Sequence, residues 1–116
     1  ITGKPVARCE TRSYVYPAGS FLLPHADFHH RLGRLVAYAY YVLPRETSLG
    51  GELELFECVL ECEDVVETRS STLIEPRGNR IAIFDVSPAS LHQVREVTEG
   101  SRASLSGWFS GAGRPW

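Results

Sequence analysis

The sequence contains no methionine, only three cysteines and no long apolar run. Its longest uninterrupted apolar run, residues 35–43, has nine residues, whereas a helix that crosses a membrane needs about 20. Residues 1–20 also lack the apolar core of a secretory signal. We therefore expect neither membrane association nor secretion, and the absence of an initial methionine predicts a trimmed domain or fragment.

The three cysteines, Cys9, Cys58 and Cys62, are odd in number and cannot all pair within one chain. A sparse, odd count is typical of a reducing compartment and predicts a cytoplasmic, intracellular location. Cys58 and Cys62 could supply two zinc ligands, but no second pair of cysteines or histidines lies at zinc-site spacing. We therefore expect ordinary thiols.

The chain also has little net charge, because 12 lysines and arginines oppose 14 aspartates and glutamates. This balance provides no electrostatic attraction for nucleic acid, so no direct nucleic-acid binding is expected. A hydrophobic fraction of 43% and a charged fraction of 22% are ordinary for a globular protein. At 116 residues, the whole chain, 1–116, is expected to form a single domain.

The sequence does contain short segments in which residues alternate with a period of two. Such alternation is typical of β-strands, and it occurs at residues 35–41, 52–56, 80–84 and 102–109. Only residues 88–97 resemble a helix, and that pattern is weak. Many short strands with glycine and proline turns and no helical crossovers predict an all-β antiparallel sandwich or barrel.

The segment 57–67 contains five acidic residues among valines and leucines. This pattern fits either a solvated edge strand or an insertion. A charged face in contact with solvent is the simpler interpretation, and we assign no function to the segment.

Three residues carry the pattern of a metal site. His25 and Asp27 are two apart, and on a strand such residues point to the same face. This pair alone is weak evidence, because most such pairs are surface residues. His92 follows 65 residues after Asp27. Two histidines and one carboxylate form the facial triad of non-haem Fe(II) oxygenases, which leaves three metal positions open.

A second group lies ten residues beyond His92, where Arg102 shares a predicted strand face with Ser104 and Ser106. A guanidinium beside hydroxyl groups binds a carboxylate through charge-assisted hydrogen bonds. The alternative is a surface ion pair for Arg102 and a polar strand face for the serines.

In this order and spacing, the motifs resemble those of the 2-oxoglutarate and Fe(II)-dependent dioxygenases, specifically the prolyl 4-hydroxylase-like group. The nearest resemblance within that group is to the branch of the ribosomal-protein prolyl hydroxylases, and it extends over roughly residues 14–110. The motifs are Tyr16-Pro-Ala-Gly, His25-Ala-Asp27, Gly50-Gly-Glu-Leu-Glu-Leu-Phe56, Ser87-Pro-Ala-Ser-Leu-His92 and Arg102-Ala-Ser-Leu-Ser-Gly-Trp-Phe109.

The resemblance implies a double-stranded β-helix (a cupin-like jelly roll) with few or no helices and with iron at one open end. It also implies that His25, Asp27 and His92 are the iron ligands, and that Arg102 and Tyr41 bind the distal carboxylate of 2-oxoglutarate. The residues expected to complete the cosubstrate pocket are Ser104, Ser106, Tyr16, Leu53 and Trp108.

Several of these assignments have alternatives. Core packing explains Leu53 and Trp108 as well as a cosubstrate contact does, and Tyr14 has the same strand parity as Tyr16. His29 and His30 follow the metal motif and are weak candidates for a substrate contact, with solvent exposure as the default interpretation.

The implied activity is hydroxylation of a C–H bond, with a prolyl residue of a protein as the expected substrate. The cofactors would be Fe(II), 2-oxoglutarate and O₂, with ascorbate keeping the iron reduced, and the products would include succinate and CO₂. The presence of Asp27 favours hydroxylation over halogenation. The alternatives are oxidation of a small molecule, such as a free amino acid, and a non-catalytic cupin-like metal-binding module. The resemblance also implies that N-terminal helices and strands of the family are missing from this chain.

Overall fold

The structure is a computed structural model that describes residues 3–42 and 49–112, and these residues form ten β-strands and no helix. The all-β class predicted from the alternating segments is therefore confirmed. The strands are β1 (Arg8–Pro17), β2 (Leu22–His25), β3 (Arg34–Tyr41), β4 (Leu49–Gly50), β5 (Leu53–Glu61), β6 (Asp64–Ile74), β7 (Arg80–Asp85), β8 (His92–Val94), β9 (Val97–Glu99) and β10 (Ser101–Ser110).

The four predicted strands correspond to β3, β5, β7 and β10. Residue 43, the last of the 35–43 apolar run, lies outside the described residues. The described residues include no helix with the length and apolarity needed to cross a membrane. Cys9, Cys58 and Cys62 are all free thiols.

Two four-stranded antiparallel sheets make up most of the structure. The β1 sheet has the order β1-β10-β3-β7, and the β2 sheet has the order β2-β8-β5-β6. Strands β4 and β9 form a small third sheet. Apart from this pair and the β5–β6 hairpin, successive strands alternate between the two large sheets. This is the jelly-roll arrangement, so the predicted double-stranded β-helix is confirmed.

The predicted weak helix at residues 88–97 is wrong. This stretch contains strand β8 and the first residue of β9, which follow a turn closed by the hydroxyl of Ser90 on the carbonyl oxygen of Ser87, 2.8 Å away. Strand β8 pairs with β2 on one side and with β5 on the other. These partners are distant in sequence, and pairing on both edges outweighs a weak local helix preference.

The acidic segment lies in the β5–β6 hairpin, and its second half is the edge strand β6, which is exposed along nearly its whole length. The solvated edge strand is therefore confirmed for this half of the segment. Charged side chains on an exposed edge oppose pairing with other chains. An ion pair between Glu57 and Arg69 bridges the two strands.

The core lies between the two large sheets and consists mainly of small and β-branched residues. The β1 sheet contributes Ala37, Ala39 and Ala82, and the β2 sheet contributes Leu53 and Val94, all of them buried. Because several of these side chains are small, the facing sheets do not fill the space between them. The resulting cavity is the candidate site.

Candidate functional site

The cavity has a volume of about 260 Å³ and is lined by residues from both large sheets. This volume is close to the lower end of the range for small-molecule sites, about 300 Å³. Its walls include His25, Asp27, His92 and Arg102. The structure thus brings the two predicted groups, the His-Asp-His donors and Arg102, to one cavity.

The two histidines are brought together by strand pairing, since His25 on β2 and His92 on β8 are cross-strand partners. Their ring centroids are 4.3 Å apart. The carboxylate of Asp27 lies between them, with Oδ1 3.4 Å from Nε2 of His25 and Oδ2 3.3 Å from Nε2 of His92. One potential ligand atom from each residue lies within 4.8 Å of the other two. The geometry fits a single metal ion with two imidazole ligands and one carboxylate.

Asp27 is not on the strand that carries His25, because β2 ends at His25. The prediction that a shared strand would place both side chains on one face is therefore wrong, although the two side chains do meet. Asp27 is held by contacts from another strand instead, since the guanidinium of Arg34 on β3 donates to its backbone carbonyl oxygen at 3.2 Å.

Both imidazole rings are oriented by backbone carbonyl groups. Nδ1 of His25 lies 2.8 Å from the carbonyl oxygen of Leu23, and Nδ1 of His92 lies 2.9 Å from that of Ser90. A carbonyl oxygen only accepts, so each Nδ1 carries the proton and donates. Nε2 is then the atom of each ring that faces the carboxylate of Asp27, and a metal ion would bind there in exchange for a proton.

The carboxylate of Asp27 is ionised, as a carboxylate ligand of a metal must be. Burial by itself raises the pKa of Asp27, but interactions with the side chains of His25, His92 and Trp108 together lower that pKa far below its ordinary value. The hydrogen bond with Asp27 raises the pKa of His25, against the opposing effect of burial. The site therefore holds a negative charge beside two nitrogen ligands, which is the donor set of a divalent transition metal.

Arg102 is a buried cation, with 4% of its surface exposed. Its Nε donates to the carbonyl oxygen of Gly51 at 3.0 Å, and its Nη2 donates to the hydroxyl of Tyr41 at 3.2 Å. The guanidinium carbon lies 5.3 Å from the ring centroid of Tyr16 and 5.0 Å from that of Tyr41. Among the described residues, no carboxylate pairs with it. A buried guanidinium is costly without a counter-charge, which makes Arg102 a candidate site for an anion.

The other predicted pocket residues fall into two groups. Tyr14, Tyr16, Leu53, Ser106 and Trp108 line the cavity, whereas Tyr41 and Ser104 are buried and do not line it. Ser104 and Ser106 are linked by a hydrogen bond of 3.1 Å between their hydroxyls.

Both tyrosines of β1 reach the cavity, and their rings meet edge to face with centroids 6.3 Å apart. Tyr16 is the cross-strand partner of Arg102, and Tyr14 is the cross-strand partner of Ser104. Tyr16 therefore lies over the guanidinium, while Tyr14 is more exposed.

His29 and His30 do not line the cavity. Nδ1 of His29 accepts a hydrogen bond from the backbone amide of Arg31, and His30 pairs with Glu63 at the tip of the β5–β6 hairpin, 3.2 Å away. The side chain of His30 is 72% exposed. Both residues thus lie at the surface beside the loop that carries Asp27.

Sequence reasoning assigned no role to Phe84 and Arg34, which the structure places next to the site. The ring centroid of Phe84 lies 4.8 Å from that of His92, and the guanidinium of Arg34 lies over the ring of Trp108. Alternation at residues 80–84 predicts the strand that carries Phe84. The contact of Phe84 with His92 depends on how the two sheets face each other, which the local pattern does not encode. No local signal identifies the stacking of Arg34.

A family model described as the 2OG-Fe(II) oxygenase superfamily matches residues 11–110 of the chain. Prolyl 3-hydroxylase OGFOD1 of Mus musculus is 39% identical over 84 residues, which are 68% of this chain and 14% of the mouse protein. Prolyl 3-hydroxylase sudestada1 of Drosophila melanogaster is 35% identical over 105 residues, which are 84% of this chain and 19% of the fly protein. The chain spans less than a fifth of the length of these curated relatives.

Two solved structures share the fold. A prolyl-4-hydroxylase from Pseudomonas putida superposes with a TM-score of 0.74 at 23% identity, over 95% of this chain and 55% of that one. The viral collagen prolyl hydroxylase vCPH from Paramecium Bursaria Chlorella virus-1, in a complex with 2OG, superposes with a TM-score of 0.59 at 17% identity. This alignment covers 92% of this chain and 63% of the viral chain.

Proposed function

Because the chain belongs to the 2OG-Fe(II) oxygenase superfamily, we propose that it forms the catalytic core of a dioxygenase that hydroxylates a prolyl residue in a protein. The reaction consumes 2-oxoglutarate and O₂, places one oxygen atom in the substrate C–H bond and releases succinate and CO₂. The observation that carries the proposal is the buried Arg102 cation, which lacks a carboxylate partner among the described residues and lines the same cavity as the His-Asp-His cluster.

His25, Asp27 and His92 are the proposed ligands of Fe(II). The fit rests on the donor set itself, since Nε2 of two imidazoles and one ionised carboxylate converge from separate elements. When bound, iron supplies the activation of O₂ that organic side chains cannot provide.

Arg102 is proposed to bind the distal carboxylate of 2-oxoglutarate, with Tyr41 and Tyr16 placing the guanidinium. The hydroxyl of Tyr41 and the carbonyl oxygen of Gly51 hold two of its nitrogens, so it is already oriented before an anion binds. Pre-oriented charged donors lose little freedom on binding, which favours affinity. Ala37 and Ala39 leave space for the carbon chain between the carboxylate site and the metal site.

The apolar wall is proposed to exclude water from the reacting centre. Leu53, Phe84 and Val94 all line the cavity. Closing an oxidising site against water prevents side reactions of its intermediates.

The relatives that share 35–39% identity with the chain are named prolyl 3-hydroxylases, and we therefore propose C3 of the prolyl ring as the hydroxylated carbon. Ascorbate is the proposed reductant that maintains the iron. The three free thiols support a cytoplasmic location.

The proposal is tested by anaerobic titration of the protein with Fe(II) and 2-oxoglutarate. We expect a visible metal-to-ligand charge-transfer band only when both are present, because the band requires 2-oxoglutarate on the iron. A chain that binds iron without forming the band would instead be a cupin-like metal-binding module. A chain that passes this test is then incubated with proline-containing peptides, and mass spectrometry is used to detect the gain of one oxygen. Comparison with authentic 3- and 4-hydroxyproline identifies the modified carbon.

Gly51 offers a separate test of how Arg102 is placed. Its φ is +72°, and an added Cβ would lie 3.1 Å from Cδ of Arg102 and 3.0 Å from Cγ2 of Val97. A left-handed conformation costs an alanine about 1–2 kcal/mol. We expect Gly51→Ala to lower the free energy of unfolding by about this amount and to weaken 2-oxoglutarate binding, as measured by urea denaturation and by the charge-transfer titration.

Gly19→Ala is the matched control, because Gly19 has a φ of +92° and no atom within 4 Å of its added Cβ. It should show the conformational cost without the loss of 2-oxoglutarate affinity. Equal affinities in the two variants would show that Gly51 does not determine the position of Arg102.

A further inference from the structure

The cavity opens to solvent between two edge strands. Strand β1 is at the edge of the β1 sheet and β2 is at the edge of the β2 sheet, and a short connection at residues 18–21 joins them. Of the described residues that line the cavity, only Tyr14 on β1 and Leu22 on β2 are exposed, at 36% and 40%. These two side chains therefore flank the mouth of the cavity, and a molecule that enters from solvent passes between them.

Side-chain exposure indicates which part of the cavity is reached first from this mouth. His25 follows Leu22 by three residues on β2, and its side chain is 33% exposed, whereas that of His92 is 7% exposed. Arg102 is 4% exposed. A cosubstrate held by Arg102 would therefore occupy the inner part of the cavity, which leaves the outer part, beside Tyr14 and Leu22, for the substrate.

Tyr14 presents an aromatic surface to this outer part of the cavity. Its edge-to-face contact with Tyr16, with 6.3 Å between the ring centroids, covers at most one face of the Tyr14 ring. Its cross-strand partner is Ser104, whose small side chain is buried. Within the part of the chain that the structure describes, the hydroxyl of Tyr14 has no hydrogen-bond partner, unlike that of Tyr41. One face of the Tyr14 ring is therefore left for a ligand.

We propose that Tyr14 is a specificity-determining residue whose ring stacks on the pyrrolidine ring of a prolyl residue that enters the cavity, with Leu22 as the opposite wall. This inference rests on the proposed function. Aromatic side chains form the grooves in which many proteins bind proline-rich segments, because a flat ring offers a large apolar contact at little cost in conformational entropy.

The proposal also gives the two tyrosines of β1 different roles. Tyr16 lies over the guanidinium of Arg102, 5.3 Å from its ring centroid, and so belongs to the cosubstrate end of the cavity. Tyr14, which has the same strand parity, lies two residues nearer the start of β1 and at the mouth. It contacts the substrate and not 2-oxoglutarate.

The test measures how two small probes, N-acetyl-L-prolinamide and N-acetyl-L-alaninamide, bind to the protein loaded with 2-oxoglutarate and with Mn(II) in the place of iron. Mn(II) relaxes the protons of a probe bound near it, so a titration followed by proton NMR gives the Kd of each probe in the cavity. We expect the wild type to bind the prolinamide about fivefold more tightly than the alaninamide, which is within the range of an aromatic contact.

Tyr14→Leu should remove this preference and leave the Kd of 2-oxoglutarate unchanged. Tyr14→Phe should keep the preference, because stacking does not need the unpaired hydroxyl. Tyr40→Leu is the matched control, since Tyr40 does not line the cavity and its hydroxyl donates to Asn79 at 2.8 Å. It should match the wild type for both probes. If Tyr14→Leu does not fold, Leu22→Ala is expected to weaken prolinamide binding about threefold through loss of the opposite wall.

A wild type with no preference for the prolinamide, or an unchanged preference in Tyr14→Leu, would overturn the role of Tyr14 and leave the proposed dioxygenase core intact. Weaker 2-oxoglutarate binding in Tyr14→Leu would assign Tyr14 to the cosubstrate and would also overturn the inference. Failure of the wild-type Mn(II) complex to bind 2-oxoglutarate would overturn the proposed function and this inference with it.

Discussion

Replacing Asp27 with alanine is expected to abolish binding of Fe(II) in the cavity and, with it, all turnover. Asp27 is the only anion among the three clustered donors, and its carboxylate lies between the two imidazoles. Partners that merely orient a metal ligand change affinity by roughly 10–100-fold, so loss of the charged ligand itself should weaken binding by more than about 100-fold. The measurement is an anaerobic Fe(II) titration followed by an assay of succinate release.

Asp85→Ala is the control for this variant, because Asp85 is also an aspartate but lies at the surface, with its side chain 72% exposed and paired with Lys4. Exposed ion pairs contribute little to stability, about 0–1 kcal/mol. The control should therefore bind Fe(II) as the wild type does. Full activity in Asp27→Ala would remove this residue from the proposed ligand set.

Replacing Arg102 with methionine is expected to raise the Kd of 2-oxoglutarate by about 100-fold while Fe(II) binding survives. Hydrogen bonds to charged groups contribute about 1.5–3 kcal/mol, and every 1.4 kcal/mol is a tenfold change in affinity. Methionine keeps most of the apolar volume, so the walls of the cavity remain supported. The charge-transfer band, followed at increasing 2-oxoglutarate concentration, measures the change directly.

The control for this experiment is Arg69→Met, since Arg69 lies on the edge strand β6 with its side chain 78% exposed. It should leave both affinities unchanged. Equal losses of Fe(II) and 2-oxoglutarate affinity in Arg102→Met would contradict a specific role in cosubstrate binding, because they would indicate general damage to the cavity.

Much of the fold follows from short-range patterns. A period of two is a property of neighbouring residues, so alternation at residues 35–41 and 102–109 was sufficient to predict β3 and β10. The order of the motifs also predicted the jelly roll, because the resemblance to the 2-oxoglutarate and Fe(II)-dependent dioxygenases depends on residue types and their spacing. The helix predicted at residues 88–97 failed because β8 is stabilised by β2 and β5, which are remote in sequence.

The candidate site, like the fold, could be predicted from the sequence only in part. Residue types and their order identified His25, Asp27 and His92 as candidate metal ligands. They also identified Arg102 as a candidate cation for binding a carboxylate. The histidines meet through the cross-strand register of His25 with His92, and Arg102 faces them because the two large sheets pack against each other. The position of Asp27 beyond the end of β2 could not be derived from alternation, because a loop has no fixed period.

The sequence by itself therefore determined four strands (β3, β5, β7 and β10), the fold class and the identity of the chemical groups, since each is encoded by residue type or by local spacing. Only the tertiary structure decided that Arg102 is a buried cation without an acidic partner among the described residues, and that Arg34 stacks on Trp108. Burial and stacking depend on which strands face each other across the two sheets. That arrangement is set by contacts between residues far apart in the chain, so it cannot be derived from any short segment of the sequence.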